Sequence, residues 1–244
     1  MKTVKISALA LAMMGIATGS AFAQSSKANA WEGFYGQVAV GYGTITPNIP
    51  GGTGAVPAGF LPGYPAFTAT TSASNVNNLN TAIANIAAGY NFGINSNFVV
   101  GVGVSYDPGA SSGATGTLNL SAPTGTVLSQ QTATYQMKNV YSITVNPGYV
   151  IDKDKLAYLM LGYTGATVGL STPNVPYNTV NLTGYIVGAG YKQMITDSLY
   201  MLGEVKYGSY GQKTASATAF GAVPISQPVS ANGAEVLVGV GYRF

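Results

Sequence analysis

The sequence contains no cysteine and no histidine in its 244 residues. The missing thiols exclude disulfide bridges and cysteine chemistry, and the missing imidazoles exclude histidine acid–base catalysis and most zinc sites. Serine triads that depend on histidine are excluded for the same reason. We therefore expect stability to come from packing, hydrogen bonds and the surrounding solvent.

Charge is also scarce. Only 7% of the residues are charged, 10 Lys and Arg with 7 Asp and Glu, whereas an ordinary soluble domain has roughly 25%. The low charge together with 47% hydrophobic residues does not fit a disordered chain. The net charge of +3 is too small, and the basic residues are too scattered, to indicate a nucleic-acid partner.

The first 23 residues have the pattern of a secretory signal peptide. Lys2 and Lys5 flank the start of an apolar stretch, residues 6–17, and a small-x-small cleavage site ends at Ala23. A membrane anchor is the alternative, but the stretch is shorter than the roughly 20 residues that a span requires. We expect a short periplasmic segment at 24–32, with Trp31 anchored at the membrane interface, and one further domain at 33–244.

Hydrophobic residues after residue 23 alternate with small or polar ones. No stretch there has 18 consecutive apolar residues, which excludes transmembrane helices. Successive side chains of a strand point to opposite faces, so alternation predicts strands with one apolar face. In the last segment that face holds Val236, Val238, Val240, Tyr242 and Phe244. Eight segments follow the pattern, at residues 34–43, 85–92, 98–107, 135–150, 156–168, 182–192, 199–210 and 235–244.

A soluble β-sandwich would show the same alternation of apolar and polar residues, but the composition of the two strand faces does not fit a sandwich. Tyr and Phe stand at the ends of the apolar faces, as they do in aromatic girdles, and the opposite face is too small and polar for a dry core. The strand charges lie on the non-apolar face. In hydrocarbon every backbone polar group needs an internal partner, so such a sheet must close. We predict an all-β fold, a transmembrane antiparallel up-and-down β-barrel of 8 strands.

The connections between these segments alternate between long and short. The long ones cover residues 45–80, 108–130, 169–180 and 211–233, and short turns lie at 93–97, 152–155 and 193–198. Short periplasmic turns and long outer loops are typical of bacterial barrels, so we expect both termini in the periplasm. The long connections are rich in Gly, Pro, Ser and Thr, which predicts irregular loops. Residues 74–85 fit either the outer end of a strand or a loop helix.

The sequence resembles the small eight-stranded outer-membrane barrels, which include the opacity-type and outer-membrane-protein-A-like barrels. Residues 31–43, 89–92 and 238–244 carry this resemblance. The resemblance implies that the terminal Phe244 and the alternating residues before it, Val236, Val238, Val240 and Tyr242, form the signal read by the outer-membrane insertion machinery. It also implies outer-membrane lipid and lipopolysaccharide as surroundings, and we expect a monomer.

No spacing in the sequence points to catalysis, so we expect no catalytic residue, no cofactor and no metal. The resemblance implies comparison with the enzymes among outer-membrane barrels, namely lipid-A acyltransferases, deacylases, phospholipases and proteases. These enzymes use an active-site histidine, which this chain lacks. We expect a structural or cell-surface role through the long loops, and the alternative is a narrow porin-like channel for ions or small solutes.

The informative side chains are the charges on the lumen face. We predict a lumen charge network of Lys138, Lys192, Glu204, Lys206, Glu235 and Arg243. A charge in a confined lumen requires a partner or water. Two interpretations remain open: a paired network that plugs the barrel, and a narrow aqueous path whose ion selectivity the charges set.

Overall fold

A computed structural model describes residues 29–110 and 113–244, so the predicted signal peptide lies outside the described residues. Within these two ranges the chain forms eleven β-strands: β1 (Gly33–Asn48), β2 (Gly52–Val56), β3 (Phe67–Ser74), β4 (Leu79–Gly93), β5 (Phe98–Ala110), β6 (Ala114–Ser121), β7 (Val127–Asp152), β8 (Lys155–Thr172), β9 (Val175–Met194), β10 (Leu199–Ala219) and β11 (Val223–Arg243). Among these residues no helix is long and apolar enough to cross a membrane.

Eight of the described strands close into one antiparallel ring. The order around it is β1, β4, β5, β7, β8, β9, β10 and β11, and the pairing of β1 with β11 completes the circle. The eight predicted segments lie in these eight strands. The predicted fold class, an up-and-down barrel of eight strands, is therefore confirmed.

The other three strands prolong the same ring. β2, β3 and β6 continue the lines of β1, β4 and β5, because β2 pairs with β11, β3 with β2, and β6 with both β3 and β7. We call the end that holds Trp31 and Phe244 the terminal end, and the opposite end the far end. Eight strand lines thus run from the terminal end to the far end.

The prediction of long irregular loops is wrong. The far-end connections between the described strands are short, residues 57–66, 122–126, 173–174 and 220–222, because most of each predicted loop is strand. Six of the eleven prolines in these predicted loops lie between strands and five lie within them. The Thr and Val residues around them favour extended backbone. Residues 74–85, left open between strand and helix, are the end of β3, a short link and the start of β4.

A belt of exposed apolar side chains surrounds the terminal half of the barrel. Its central members include Val38, Val104, Leu161, Val205 and Val238, each about half exposed. One aromatic girdle contains Phe34, Phe92, Phe98, Tyr149, Tyr242 and Phe244, and a second contains Tyr42, Tyr106, Tyr141, Tyr163, Tyr185 and Tyr207.

The spacing of the two girdles matches a membrane. On several strands the aromatic residues stand eight positions apart, as Phe98 and Tyr106 do on β5. Eight residues extend about 26 Å along a strand, or about 20 Å along the axis of a barrel whose strands tilt by roughly 40°. This is close to the apolar band of roughly 25 Å that outer-membrane barrels present to lipid.

Beyond the second girdle the barrel projects out of this belt, and its polarity inverts. The part of β10 beyond the second girdle, from Tyr207 to Ala219, extends about 30 Å along the barrel axis. The outer face of the projection carries Ser, Thr, Asn and Pro, as on β11 between 224 and 232. Its interior is apolar and buried, with Val56, Leu79, Leu120, Met137, Leu182, Val223, Ile225 and Val229 among the packed side chains.

A seam interrupts the wall near the second girdle. The ladder between β4 and β5 stops at Ile86 and Tyr106, and the ladder between β3 and β6 begins at Ser74 and Thr117. Between these two ladders, Asn85 Nδ2 donates to Asp107 Oδ1 at 2.6 Å.

The backbone explains why the β5 side of the seam leaves the ladder. Pro108 has no N–H to donate, and Gly109 has a φ of 107°, which a residue with a side chain rarely adopts. Farther along, Asn77 N donates to Thr115 O at 3.1 Å. Among the described residues, the seam is therefore a local interruption of the ladder that is closed at both ends.

The belt and the projection should respond differently to the same substitution. Val38 lies midway between the girdles on β1, and Thr46 lies on the outer face of the same strand beyond the second girdle. We expect Val38→Lys to lower the free energy of unfolding in lipid by about 2–4 kcal/mol, because its ammonium enters hydrocarbon, and Thr46→Lys to change it by less than about 1 kcal/mol. Urea titration in liposomes measures both, and equal losses would contradict this placement of the membrane.

Candidate functional site

The lumen of the terminal half is filled with side chains, starting at the terminal end with Trp31. This indole is 1% exposed and packs edge-on against Tyr200, with ring centroids 5.7 Å apart. Asn29 Nδ2 donates to the carbonyls of Asn95 and Phe98, and Asn91 Nδ2 donates to Trp31 O at 3.0 Å. Trp31 therefore closes the terminal end from inside, and the prediction that it anchors at the lipid interface is wrong.

A layer of tyrosines lies above Trp31 and encloses Lys192. The ammonium nitrogen of Lys192 is 4.1 Å from the ring centroid of Tyr35, 5.0 Å from that of Tyr158 and 4.9 Å from that of Tyr200. Lys192 is 4% exposed. A desolvated cation over an aromatic ring gains about 2 kcal/mol or more, so the three rings together offset part of the cost of removing this charge from water.

Glu204, Lys206 and Glu235 form a buried ion-pair network above the tyrosines. Glu204 and Lys206 are two positions apart on β10 and therefore share a face, and Lys206 pairs with Glu235 across the β10–β11 ladder. Lys206 Nζ lies 3.1 Å from Glu204 Oε2 and 3.4 Å from Glu235 Oε1.

Neutral groups complete the hydrogen bonding of Glu204. Tyr158 Oη donates to Glu204 Oε1 at 2.5 Å, and Gln37 Nε2 donates to the same oxygen at 3.0 Å. Tyr200 Oη donates to Gln37 Oε1 at 3.2 Å. The carboxylate thus joins the tyrosine layer to the ion pairs in one connected plug.

The plug leaves little free space. A cavity of about 30 Å³ remains between Tyr35, Asn146 and Lys206, with room for about two water molecules. A larger cavity of about 90 Å³ lies at the seam, and its lining includes lumen-facing Ser142 as well as outward-facing Ala84. The free space at the seam thus borders both lumen-facing and outward-facing side chains.

The structure brings together four of the six predicted network residues: Lys192, Glu204, Lys206 and Glu235. Arg243 lies at the terminal end, where Nη2 donates to Asp197 O at 2.7 Å. Lys138 lies on the outer face, with Nζ 5.1 Å from the ring centroid of Tyr177.

A bulge explains the misplacement of Lys138. The β7–β8 register shifts between Lys138 and Tyr141, and Asn139 has a φ of 53°. Met137 is consequently buried in the lumen while Tyr141 faces outward, although strict alternation predicts one face for both. The role of the plug tyrosines was also missed. Their positions on the lumen face, next to interior glycines, are the signal in the sequence that identifies them.

The predicted assembly residues all lie on the outer face of β11. Val236, Val238, Val240, Tyr242 and Phe244 are between 47% and 60% exposed. Their exposure is the arrangement that a lipid-facing strand requires, and their role in assembly stays a prediction.

The polar turn between β7 and β8 lies at the terminal end, outside the apolar belt. Lys155 Nζ contacts Asp152 Oδ2 at 2.7 Å, and this hydrogen bond holds the pKa of the Asp152 carboxyl below its usual range. Within residues 29–110 and 113–244, no group of three potential metal-ligating side chains occurs.

Comparison with known proteins shows the fold. No protein-family model and no curated protein matches the sequence. The outer membrane protein OprG from Pseudomonas aeruginosa matches in structure with a TM-score of 0.52 and 12% identity, over 90% of this chain and 99% of OprG. Ail of Yersinia pestis matches with a TM-score of 0.40 and 16% identity, over 87% and 99% of the two chains. The outer membrane protease OmpT from Escherichia coli matches with a TM-score of 0.47 and 10% identity, over 88% and 97%. The chain thus has the fold of the small outer-membrane β-barrels, as the sequence resemblance predicted.

Removing all three charges of the ion-pair network should lower the free energy of unfolding less than removing the charge of Lys206 alone. We expect Lys206→Met to lower the free energy of unfolding by about 3–5 kcal/mol, because Glu204 and Glu235 are left buried and uncompensated. Adding Glu204→Gln and Glu235→Gln to this variant should restore at least half of the loss. Urea titration followed by the fluorescence of Trp31, the single tryptophan, measures both changes. A triple variant less stable than Lys206→Met would contradict the pairing.

Proposed function

We propose that the protein is a non-enzymatic cell-surface barrel of the bacterial outer membrane that conducts no ions along its axis. In this proposal the terminal end faces the periplasm and the far end faces the exterior. The three terminal-end turns, at residues 94–97, 153–154 and 195–198, are short, which is typical of periplasmic turns. The projection then stands outside the cell.

The filled lumen is the observation that carries the proposal. Trp31, the three tyrosines around Lys192, and the Glu204 network occupy successive levels of the same half of the barrel. A conducting pore requires a continuous aqueous path, and packed aromatic side chains with paired charges do not provide one. Of the two interpretations of the lumen charges, the geometry therefore supports the plug.

The projection supports a surface role. Beyond the second girdle, Lys138 and Lys213 are the charged residues among the described outward-facing positions, and the remaining outer surface is uncharged, mostly Ser, Thr, Asn and Pro, with Tyr64, Val127, Tyr177 and Phe220 also exposed. Such a surface lacks the basic cluster that a strongly anionic partner would need. We further propose that lipid and lipopolysaccharide surround the belt and that the protein is a monomer. The outer-membrane insertion machinery acts on β11 in this proposal.

Restricted passage of small solutes is a second candidate function, and the seam favours it. The cavity of about 90 Å³ is lined both by lumen-facing and by outward-facing side chains. A solute that used it would cross the wall at the level of the second girdle and would bypass the plug. This candidate replaces the axial channel considered from the sequence.

Planar-bilayer recording tests the proposal. We expect the wild-type protein to show no discrete conductance steps. Replacing Trp31, Tyr158 and Tyr200 together by alanine should produce steps, because it removes large side chains from two successive levels of the plug and opens the lumen toward the cavity at the seam. Tyr207→Ala, which removes an outward-facing ring, is the matched control and should stay silent. A gel-mobility shift on boiling would verify that each variant is folded.

Two outcomes would refute the plug. Discrete conductance of the wild-type barrel would favour an aqueous path along the axis. A folded triple variant that stays silent would mean that other residues block the lumen.

A further inference from the structure

The projection encloses an apolar chamber. A cavity of about 60 Å³ lies between side chains of the far halves of the strands, and Leu118, Leu170, Val180 and Ile225 are in its lining. A neighbouring cavity of about 20 Å³ shares Leu170 and Tyr135 with it. No charged side chain is among the described residues that line either cavity, so the chamber suits an uncharged occupant.

Two hydroxyl groups in this apolar lining have no hydrogen-bond partner among the described residues. They are Tyr135 Oη and Thr172 Oγ1, both buried, and the whole of Tyr135 is 2% exposed. Buried polar side chains nearly always have a partner, and a buried hydroxyl without one is destabilising. These two atoms therefore point to a group that the described residues do not supply.

The amide side chains in the lining are already used. Gln227 Oε1 accepts from Thr71 Oγ1 at 2.7 Å, and its Nε2 donates to Pro50 O. Asn178 Nδ2 donates to Ser216 O. Tyr135 Oη and Thr172 Oγ1 are thus buried polar atoms of the lining that no described residue engages.

The two hydroxyls lie on neighbouring strands and face the same side. Tyr135 on β7 pairs with Leu170 on β8, and Thr172 stands two positions beyond Leu170. Gly116 makes room for the head of the tyrosine, because a Cβ at this position would collide with Tyr135 Oη. The tyrosine hydroxyl therefore occupies a space that β6, the neighbour of β7 on the side away from β8, keeps open.

We propose that this chamber binds a small uncharged molecule with one hydrogen-bonding oxygen and a short apolar body. Tyr135 binds the oxygen on the β6 side of β7, Thr172 is a second anchor on the β8 side, and the aliphatic side chains pack around the body. A cavity of roughly 150 Å³ accommodates the six heavy atoms of benzene, so a space of about 60 Å³ with a neighbour of about 20 Å³ suits about three heavy atoms. This ligand site goes beyond the surface role and does not depend on it.

Fluorine NMR on the barrel in lipid nanodiscs tests the site. The probe is 2-fluoroethanol, the smallest alcohol that carries fluorine on carbon beside its hydroxyl-bearing carbon, and the matched probe is 1-fluoropropane, which has the same number of heavy atoms but no hydroxyl. Empty nanodiscs give the background from partition into lipid. We expect saturable broadening of the alcohol signal by the wild-type protein.

Substitutions distinguish the contribution of the two hydroxyls to binding from that of the chamber volume. The double variant Tyr135→Phe with Thr172→Val should raise the Kd of the alcohol about fivefold to tenfold and leave fluoropropane binding within about twofold. Leu170→Phe should abolish the saturable component for both probes, because the ring fills the chamber. Leu161→Phe, on the lipid-facing side of the same strand, is the matched control and should behave as the wild type.

Three results would overturn the site: no saturable component with the wild-type protein, an unchanged alcohol Kd in the double variant, or full binding in Leu170→Phe. If Leu170→Phe shows no gel-mobility shift on boiling and is therefore unfolded, Ala133→Leu fills the same chamber from β7 and gives the same decision.

Discussion

Closure of the backbone hydrogen-bond ladder is the constraint on which the rest of this structure depends. A strand in hydrocarbon cannot leave N–H and C=O groups unpaired, so the eight strand lines must return to their start, as β1 and β11 do. Once the ring is closed, alternation assigns each side chain either to the outside or to the lumen. The apolar belt, the plug and the projection are three consequences of that one assignment.

The two halves of the barrel use the same ladder in two different surroundings. In the terminal half the apolar parity faces lipid, and the polar parity with its few charges fills the lumen. In the projection the apolar parity packs inward, as it does for Val223, Ile225 and Val229, and the polar parity faces outward. A membrane boundary at the second girdle accounts for this inversion, because lipid and water select opposite outer faces for one continuous strand.

Alternation in the sequence was sufficient to predict the terminal half, where large apolar residues follow one another at every second position. The same alternation is present between 223 and 232, but its polar members are Pro and Ser, which are also the residues typical of loops. Composition therefore outweighed periodicity there, and the strands of the projection were missed. The Asn139 bulge was missed because one inserted residue changes the face of everything before it without changing composition.

The candidate site was partly predictable for a related reason. Glu204, Lys206 and Glu235 are charges on a lumen parity, and a confined charge requires a partner. The tyrosine cage of Lys192 and the inward position of Trp31 depend on the curvature of the ring, which places distant strands face to face. The chamber at Tyr135 and Thr172 depends on the same curvature, because only closure places the side chains of distant strands, such as Ile225, opposite these two residues.

Residue-resolved NMR in nanodiscs that contain a paramagnetic lipid tests the central claim most directly. If the ladder is continuous through both halves, amides of the far ladder, from Lys213–Val229 to Ala219–Val223, should exchange slowly, as those of Val236–Val240 do. The lipid label should broaden the belt signals around Val238 and spare the far ladder. Rapid exchange throughout residues 213–229 would contradict the account, and so would broadening of that segment by the lipid label.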